Sequence, residues 1–249
     1  MMQISPTVKQ LLIINILFFI GSQFVGDAAY NYLSLFFFEN AKFQYWQPIT
    51  HMFMHAGIMH IAFNMFALYS FGSVLEHYWG SKKFLFFYLS CGLGAALLHT
   101  AVNYYFFHDG LTTLTQAGFV KTDIYSLLNE GKIDNRWTEA IGASGVDRFA
   151  GSFAAPAVGA SGAIYGLLVA FAFMVPNAEL ALMFIPIPIK AKYFVPGLLV
   201  VDLFLGVSGK SIFGGSGGIA HFAHIGGAIV GFLMMWYWKK NSFNKNRWN

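Results

Sequence analysis

The chain has 249 residues, of which 57% are hydrophobic and 10% charged, with a mean hydropathy of +0.56. A soluble domain carries roughly 25% charged residues, so this composition excludes a soluble globular protein and points to the lipid bilayer. The formal charge of +4 fits basic residues gathered at cytoplasmic loop ends and calls for no nucleic-acid partner, while the single cysteine, Cys91, excludes an internal disulfide framework.

Six apolar segments predict helices suited to a hydrocarbon layer of roughly 30 Å. They run from Gln10 to Val25, Ile58 to Tyr78, Phe84 to Phe107, Ala160 to Val175, Tyr193 to Val207 and Ile219 to Trp238. No small-residue cleavage site follows Leu11 to Ile20, so the first is read as a retained span, not a signal peptide. An even number of spans puts both termini on one side. Lys9, Lys82, Lys83, Lys190, Lys192, Lys239, Lys240, Lys245 and Arg247 fall on that side, against Lys42 and Lys210 in the short loops opposite. The positive-inside rule therefore places both termini in the cytoplasm. The expectation is an all-α polytopic membrane protein, a single six-helix domain in a bacterial cytoplasmic (inner) membrane.

Between the spans, the loop from Asp27 to Pro48 is rich in Phe, Tyr and Trp and is expected in the outer interface. His99, in the third span, reads as a packing or interfacial residue. Residues 108–158 hold most of the mixed charge and predict a long external loop with a short amphipathic helix around Asp123 to Leu128. Pro176, Pro186 and Pro188 break any helix across the next connector. The stretch from Gly206 to Gly218 has six glycines, which suits either a mobile lid or an ordinary connector.

The chemistry centres on Gly159-Ala160-Ser161-Gly162-Ala163-Ile164-Tyr165-Gly166, which sets a serine at the mouth of an apolar run. A hydroxyl in hydrocarbon needs a hydrogen-bond partner. His224, early in the last span, and His60 with Asn64, early in the second, arrive at a similar depth in the outer half of the membrane. Serine needs a base to become a nucleophile, and histidine is the usual one. Ser161 and His224 can pair if the fourth and sixth helices touch. Gly227-x-x-x-Gly231, facing Gly162 and Gly166, lets such helices approach closely. Tyr165 lies one turn below Ser161 and could stack on the His224 ring. No acidic residue stands near enough in sequence to complete a triad, so a dyad is expected. His60 and Asn64, four apart, share a helix face and can both donate to a developing oxyanion, together with the Ser161 amide. Gly142-Ala143-Ser144-Gly145 repeats the serine tetrapeptide but precedes no apolar span, which sets Ser144 aside. No cofactor and no metal are expected. His51 and His55 have a zinc-compatible spacing, but no thiolate or carboxylate joins them, and nothing in the pattern ties Asp202 of the fifth span to the histidines.

Gly159-Ala160-Ser161-Gly162, Ala223-His224-Ile225-Gly226-Gly227 and His60-x-x-x-Asn64 resemble, in this order and on these spans, the rhomboid family of intramembrane serine proteases. The resemblance runs from about Trp46 to Gly231. It implies a six-transmembrane-helix rhomboid-like bundle with Ser161 as nucleophile and His224 as general base. It further implies an oxyanion hole of His60, Asn64 and the Ser161 amide, with Gly159 shaping the approach and Tyr165 packed on the histidine. Gly72, Glu76 and Gly80 resemble the family's structural pattern at the cytoplasmic end of the second span. His51 and His55 fall where members often carry histidines, and with Ser161 they would help wet a site that consumes water. The implied substrates are transmembrane proteins cut near their outer ends, entering laterally between the second and fifth helices. Trp46-Gln47 departs from the Trp-Arg of some members, and the loop before Ser161 is unusually long. The competing readings are a silent rhomboid-like binder of membrane partners and a histidine-based metal-binding or transport protein.

Overall fold

The computed structural model describes residues 4–182, 185–209 and 218–241. With no water in hydrocarbon to satisfy a free backbone, a chain this apolar must bond its peptide groups internally, and it does so mainly as helices. Helix α1 spans Pro6–Val25 and α2 Asp27–Leu33, followed by the short α3 (Gln47–Thr50) and a 3₁₀ turn, His51–Phe53. Then α4 (Ile58–Ala67) continues through a π-helical turn at Leu68–Gly72 into α5 (Ser73–Trp79). Next comes the long α6 (Ser81–Gln116), with α7 (Lys121–Asn129), α8 (Trp137–Ile141) and α9 (Ala143–Ala154) beyond it. The central α10 (Ser161–Met174) leads to strands β1 (Glu179–Leu182) and β2 (Ile185–Lys190), then α11 (Ala191–Ser208) and α12 (Ala220–Asn241).

Among the described residues five helical stretches, α1, α4 through α5, α6, α11 and α12, are long and apolar enough to cross a membrane, and α10 is a shorter apolar helix. The protein is an all-α polytopic bundle with one small hairpin. At 14 residues, α10 is about 21 Å long and sits at the centre, packed most closely against α6 and α12. Small residues make this trio possible. A Cβ added at Gly227 would fall 1.8 Å from the Gly162 carbonyl oxygen, and one at Gly231 would fall 2.8 Å from the Gly166 Cα. Gly226 is equally tight against Gly94 of α6, at 2.5 Å from its carbonyl oxygen.

The start of α1 is held from the second span. Pro6 needs no amide partner at a first helical position. The Thr7 and Val8 amides both donate to the Glu76 carboxylate at 2.9 Å, and the Ser5 and Ser81 hydroxyls donate to it at 2.5 and 2.6 Å. An anion there also answers the positive end of the α1 dipole. Glu76 is therefore a clasp between α1, α5 and α6, and α1 begins at Pro6, ahead of the Gln10 expected from hydropathy.

Two other stretches differ from expectation. Residues 108–158, expected as a loop with one short helix, carry the extended end of α6 and all of α7, α8 and α9. Leu111, Leu114, Ile124, Leu128, Trp137, Val146, Phe149 and Phe153 form a second buried cluster with Phe37 and Phe107. These apolar side chains recur at helical spacing among the charges. Phe107 and Phe149 stack with centroids 5.2 Å apart, and Gly110 leaves room for the Phe149 ring. Glu39 of the first loop reaches this layer, taking the His108 ring at 2.8 Å and the Tyr125 hydroxyl. Burial alone would raise its pKa, but the bonds from Tyr125 and His108 prevail and hold the carboxyl below its ordinary 4.5. The proline-rich connector folds as the antiparallel pair β1 and β2, with Glu179 opposite Lys190 and Leu180 opposite Ile189. An edge strand tolerates Pro186 and Pro188 because it has no second neighbour to bond.

Candidate active site

Ser161 opens α10, where its side chain is at the helix mouth and its amide is one of the free N–H groups of the first turn. The Gly227–Gly162 and Gly231–Gly166 contacts bring α12 alongside, and Ser161 Oγ lies 2.9 Å from His224 Nε2. The Tyr165 ring stacks on the His224 imidazole, with centroids 4.3 Å apart and planes 9° from parallel. That leaves the imidazole edge, not its face, to meet the serine.

The approach to Ser161 is set by Gly159, whose φ of +120° suits glycine alone. Its amide donates to the His51 carbonyl at 2.9 Å. A Cβ at Gly159 would lie 2.7 Å from His60 Nε2 and 3.6 Å from Ser161 Oγ, so both border the same small space. His60 Nδ1 accepts the Ala56 amide at 3.3 Å, which leaves Nε2 of the neutral ring to carry the proton. Asn64, one turn further along α4, is buried, and its Nδ2 has no partner among the described residues. Helix α4 thus brings the His60 ring beside the Ser161 hydroxyl, at the free amides of the α10 start, with the unpartnered Asn64 amide one turn further along α4.

His51 is buried and donates through Nδ1 to the Gln47 carbonyl at 2.9 Å. His55 lies beside His60, with ring centroids 5.1 Å apart, and its Nδ1 donates to the Phe53 carbonyl at 3.3 Å. The first loop is anchored by Gln47 itself. Its Oε1 accepts the Phe36 amide at 3.2 Å, its Nε2 donates to the Lys42 carbonyl at 2.9 Å, and Trp46 Nε1 donates to the Tyr32 carbonyl at 2.9 Å. A neutral amide thus does locally what the absent arginine suggested was missing. The pairing of Leu35 with Ala157 then ties that loop to the residues just before Gly159.

Other residues singled out in the sequence lie elsewhere. Ser144 is exposed on the first turn of α9. His99 is buried in α6 and bonded to Asn103 at 3.1 Å. Of the glycine-rich stretch, residues 210–217 lie outside the described residues, as do Lys245 and Arg247.

Asp202 was missed. Its Oδ1 lies 3.1 Å from His224 Nδ1 and 2.5 Å from His221 Nδ1, and the residue is buried. The expectation that no carboxylate reaches the histidines is corrected: α11 brings one there across two spans. Gly206, one turn after Asp202, lets α11 close on α12, because its Cα faces the Phe222 ring, where a Cβ would lie 3.0 Å from the nearest carbon. A carboxylate inside an apolar span is itself a signal. Among the described residues, Asp202, His221 and His224 are also the one group of three with ligand atoms within 4.8 Å of one another. Both imidazoles already point at the same carboxylate oxygen, so a metal would have to replace two direct hydrogen bonds.

A serine hydroxyl held against an imidazole, with a second ring, His60, bordering the same space, can perform acyl transfer. Comparison with known proteins agrees in its coarse outline. The family model of the rhomboid domain matches residues 42–241. Rhomboid protease AarA of Providencia stuartii is 26% identical over 200 residues, covering 76% of this chain and 54% of that protein. Rhomboid protein 1, mitochondrial, of Saccharomyces cerevisiae is 24% identical over 188 residues, covering 76% of this chain and 40% of the other. Rhomboid protease GluP of Bacillus subtilis (strain 168) is 39% identical over 57 residues, 23% of this chain and 11% of that protein. The chain thus spans about half or less of the length of each of these relatives. The match takes in α4 through α12 and every residue of the site just described, and on that ground the chain belongs to the rhomboid family.

Proposed function

We propose that this protein is an intramembrane serine endopeptidase that cleaves transmembrane proteins near their outer ends through a Ser161–His224 dyad. The observation that carries the reading is the 2.9 Å approach of Ser161 Oγ to His224 Nε2 at the head of a buried helix. In the first half-reaction Ser161 Oγ attacks the scissile carbonyl carbon while His224 Nε2 takes the hydroxyl proton. The carbonyl oxygen becomes an oxyanion that accepts from the Ser161 amide, His60 Nε2–H and Asn64 Nδ2–H, each donor worth about 3 kcal/mol. The intermediate collapses as the C–N bond breaks, and His224 returns the proton to the departing amine. In the second half-reaction His224 takes a proton from water, the hydroxide adds to the acyl carbon, and Ser161 leaves with that proton.

Several features support the depth of the cut. A helix of about 21 Å cannot bridge about 30 Å of hydrocarbon, so α10 places its first residue below the outer surface if its last turn is level with its neighbours. The distribution of lysines supports a topology with both termini in the cytoplasm, and the membrane is assigned as a bacterial inner membrane. Lateral entry is assigned to the side of α4 and α11, where Met59, Phe66, Val200 and Phe204 are exposed and suit an apolar segment. His51 and His55, buried behind the oxyanion donors, are assigned to holding water at the site.

The test is labelling by a fluorophosphonate probe in liposomes. Wild type and Ser144→Ala should label, and Ser161→Ala and His224→Ala should not. Absence of labelling in folded wild type would refute the enzyme and favour a silent binder of membrane partners.

A further inference from the structure

We infer that Asp202 is a positioning residue that fixes the reactive tautomer of His224, and that His221 shares its carboxylate as a second donor. The inference rests on the reading of Ser161 and His224 as the reacting pair and extends it from a dyad to a relay held from three spans.

An ionised carboxylate only accepts hydrogen bonds. The single oxygen Oδ1 of Asp202 faces Nδ1 of both His224, at 3.1 Å, and His221, at 2.5 Å. Each Nδ1 must then carry a proton. A neutral His224 with Nδ1 protonated has a bare Nε2, and Nε2 is the atom 2.9 Å from Ser161 Oγ. That is the tautomer a general base requires, since only a bare nitrogen can accept the serine proton. The opposite tautomer would put a proton between the two and stop the transfer.

The surroundings give this carboxylate few other uses. Asp202 is buried, and besides the two imidazoles the Tyr165 hydroxyl is its other side-chain hydrogen-bond partner among the described residues. His221 and His224 are three apart on α12 and present one face to α11, their rings 6.1 Å apart and nearly perpendicular. Tyr165 meets the face of His224 while Asp202 meets its edge. Rotation of the imidazole is thus blocked by the stack and its protonation pattern is set by the carboxylate. Two donors on one oxygen make Asp202 costly to lose and stabilise it in a place where an unpaired charge is expensive.

The experiment uses the full chain in detergent micelles and liposomes, with two readouts. The first is ring ¹⁵N NMR of labelled histidine, the His224 signals being assigned by their loss in His224→Ala. The second is the rate of fluorophosphonate labelling. In wild type, His224 should show a protonated Nδ1 and a bare Nε2. In Asp202→Asn the amide can donate to the ring, the His224 pattern should move toward protonated Nε2, and labelling should slow by at least about 100-fold, the kind of loss the wrong tautomer brings to a serine–histidine pair. Asp202→Glu, which keeps a carboxylate one methylene longer, should recover part of that rate, and a loss by misfolding would not be recovered this way.

A wild-type His224 protonated at Nε2 overturns the inference without any variant. So does an Asp202→Asn protein that labels at the wild-type rate, or one that labels slowly with the His224 tautomer unchanged. Stoichiometric zinc in the purified protein would assign the three side chains to a metal and overturn it as well. A tautomer that depends on Asp202 in a wild type that never labels would leave this geometry standing and refute the protease.

Discussion

Substituting Gly227 by alanine tests the spacing that brings serine and histidine together, without touching either. The new Cβ would lie 1.8 Å from the Gly162 carbonyl oxygen, whereas Cβ contacts below 3.0 Å essentially do not occur. To relieve the clash α12 must withdraw from α10 by about 1.2 Å, since backbone on both sides leaves no flexible side chain to yield. His224 is three residues earlier on the same helix face. A rigid withdrawal would stretch its 2.9 Å contact with Ser161 Oγ to about 4 Å, beyond hydrogen-bond range. Misplacement by about 1 Å costs on the order of 100-fold in rate, and overpacking of this kind destabilises by about 1–3 kcal/mol. Gly227→Ala should therefore fold with a lowered melting temperature and label with fluorophosphonate at least about 100-fold more slowly. Gly197→Ala on α11 is the control, because a Cβ there meets nothing within 4 Å; it should match wild type in rate and gain slightly in stability, alanine being the better helix former. Wild-type labelling by a folded Gly227→Ala protein would refute the argument that glycine contact sets the catalytic distance.

Glu76→Gln should cost about 2–4 kcal/mol in thermal unfolding, because one amide oxygen replaces a charged pair that accepts four donors; an unchanged melt would mean α1 is held by its apolar face alone. Gly159→Ala should lower stability by about 1–3 kcal/mol through its φ of +120°. It should also slow labelling by about 100-fold as His60 is displaced, and an unaffected rate would remove His60 from the site. Glu39→Gln should destabilise the protein at neutral pH, with a penalty that disappears as the pH falls. The Glu39 pKa is depressed by folding from 4.5, so its contribution is present above 4.5 and is lost as pH drops through the lower folded value. Melting curves of the two proteins should converge in acid, and a penalty that is constant with pH would refute a stabilising role for the ionised Glu39 between His108 and Tyr125.

The parts of this molecule that were legible in its sequence are those whose partners are announced by composition. Ser161 could be paired with His224 because small residues at Gly162, Gly166, Gly227 and Gly231 advertise two helices that touch, and the Tyr165 stack follows from one helical turn. The layer beyond α6 was not legible, because charges between Ile124 and Phe153 masked apolar residues at helical spacing, and because one of their partners, Phe37, is on a distant loop.

Asp202 is a different kind of miss, since the needed quantities were present but not combined. A carboxylate in hydrocarbon must meet donors at its own depth. Asp202 is six residues from the end of α11, and His221 and His224 are one and four residues past the start of α12. At 1.5 Å per residue, these positions lie within about 9 Å of the same surface. No other histidine or basic residue of α11 or α12 shares that depth, so matching donors to the buried charge by depth selects this pair. Spacing along the chain finds partners that share a helix; depth in the membrane finds partners that do not.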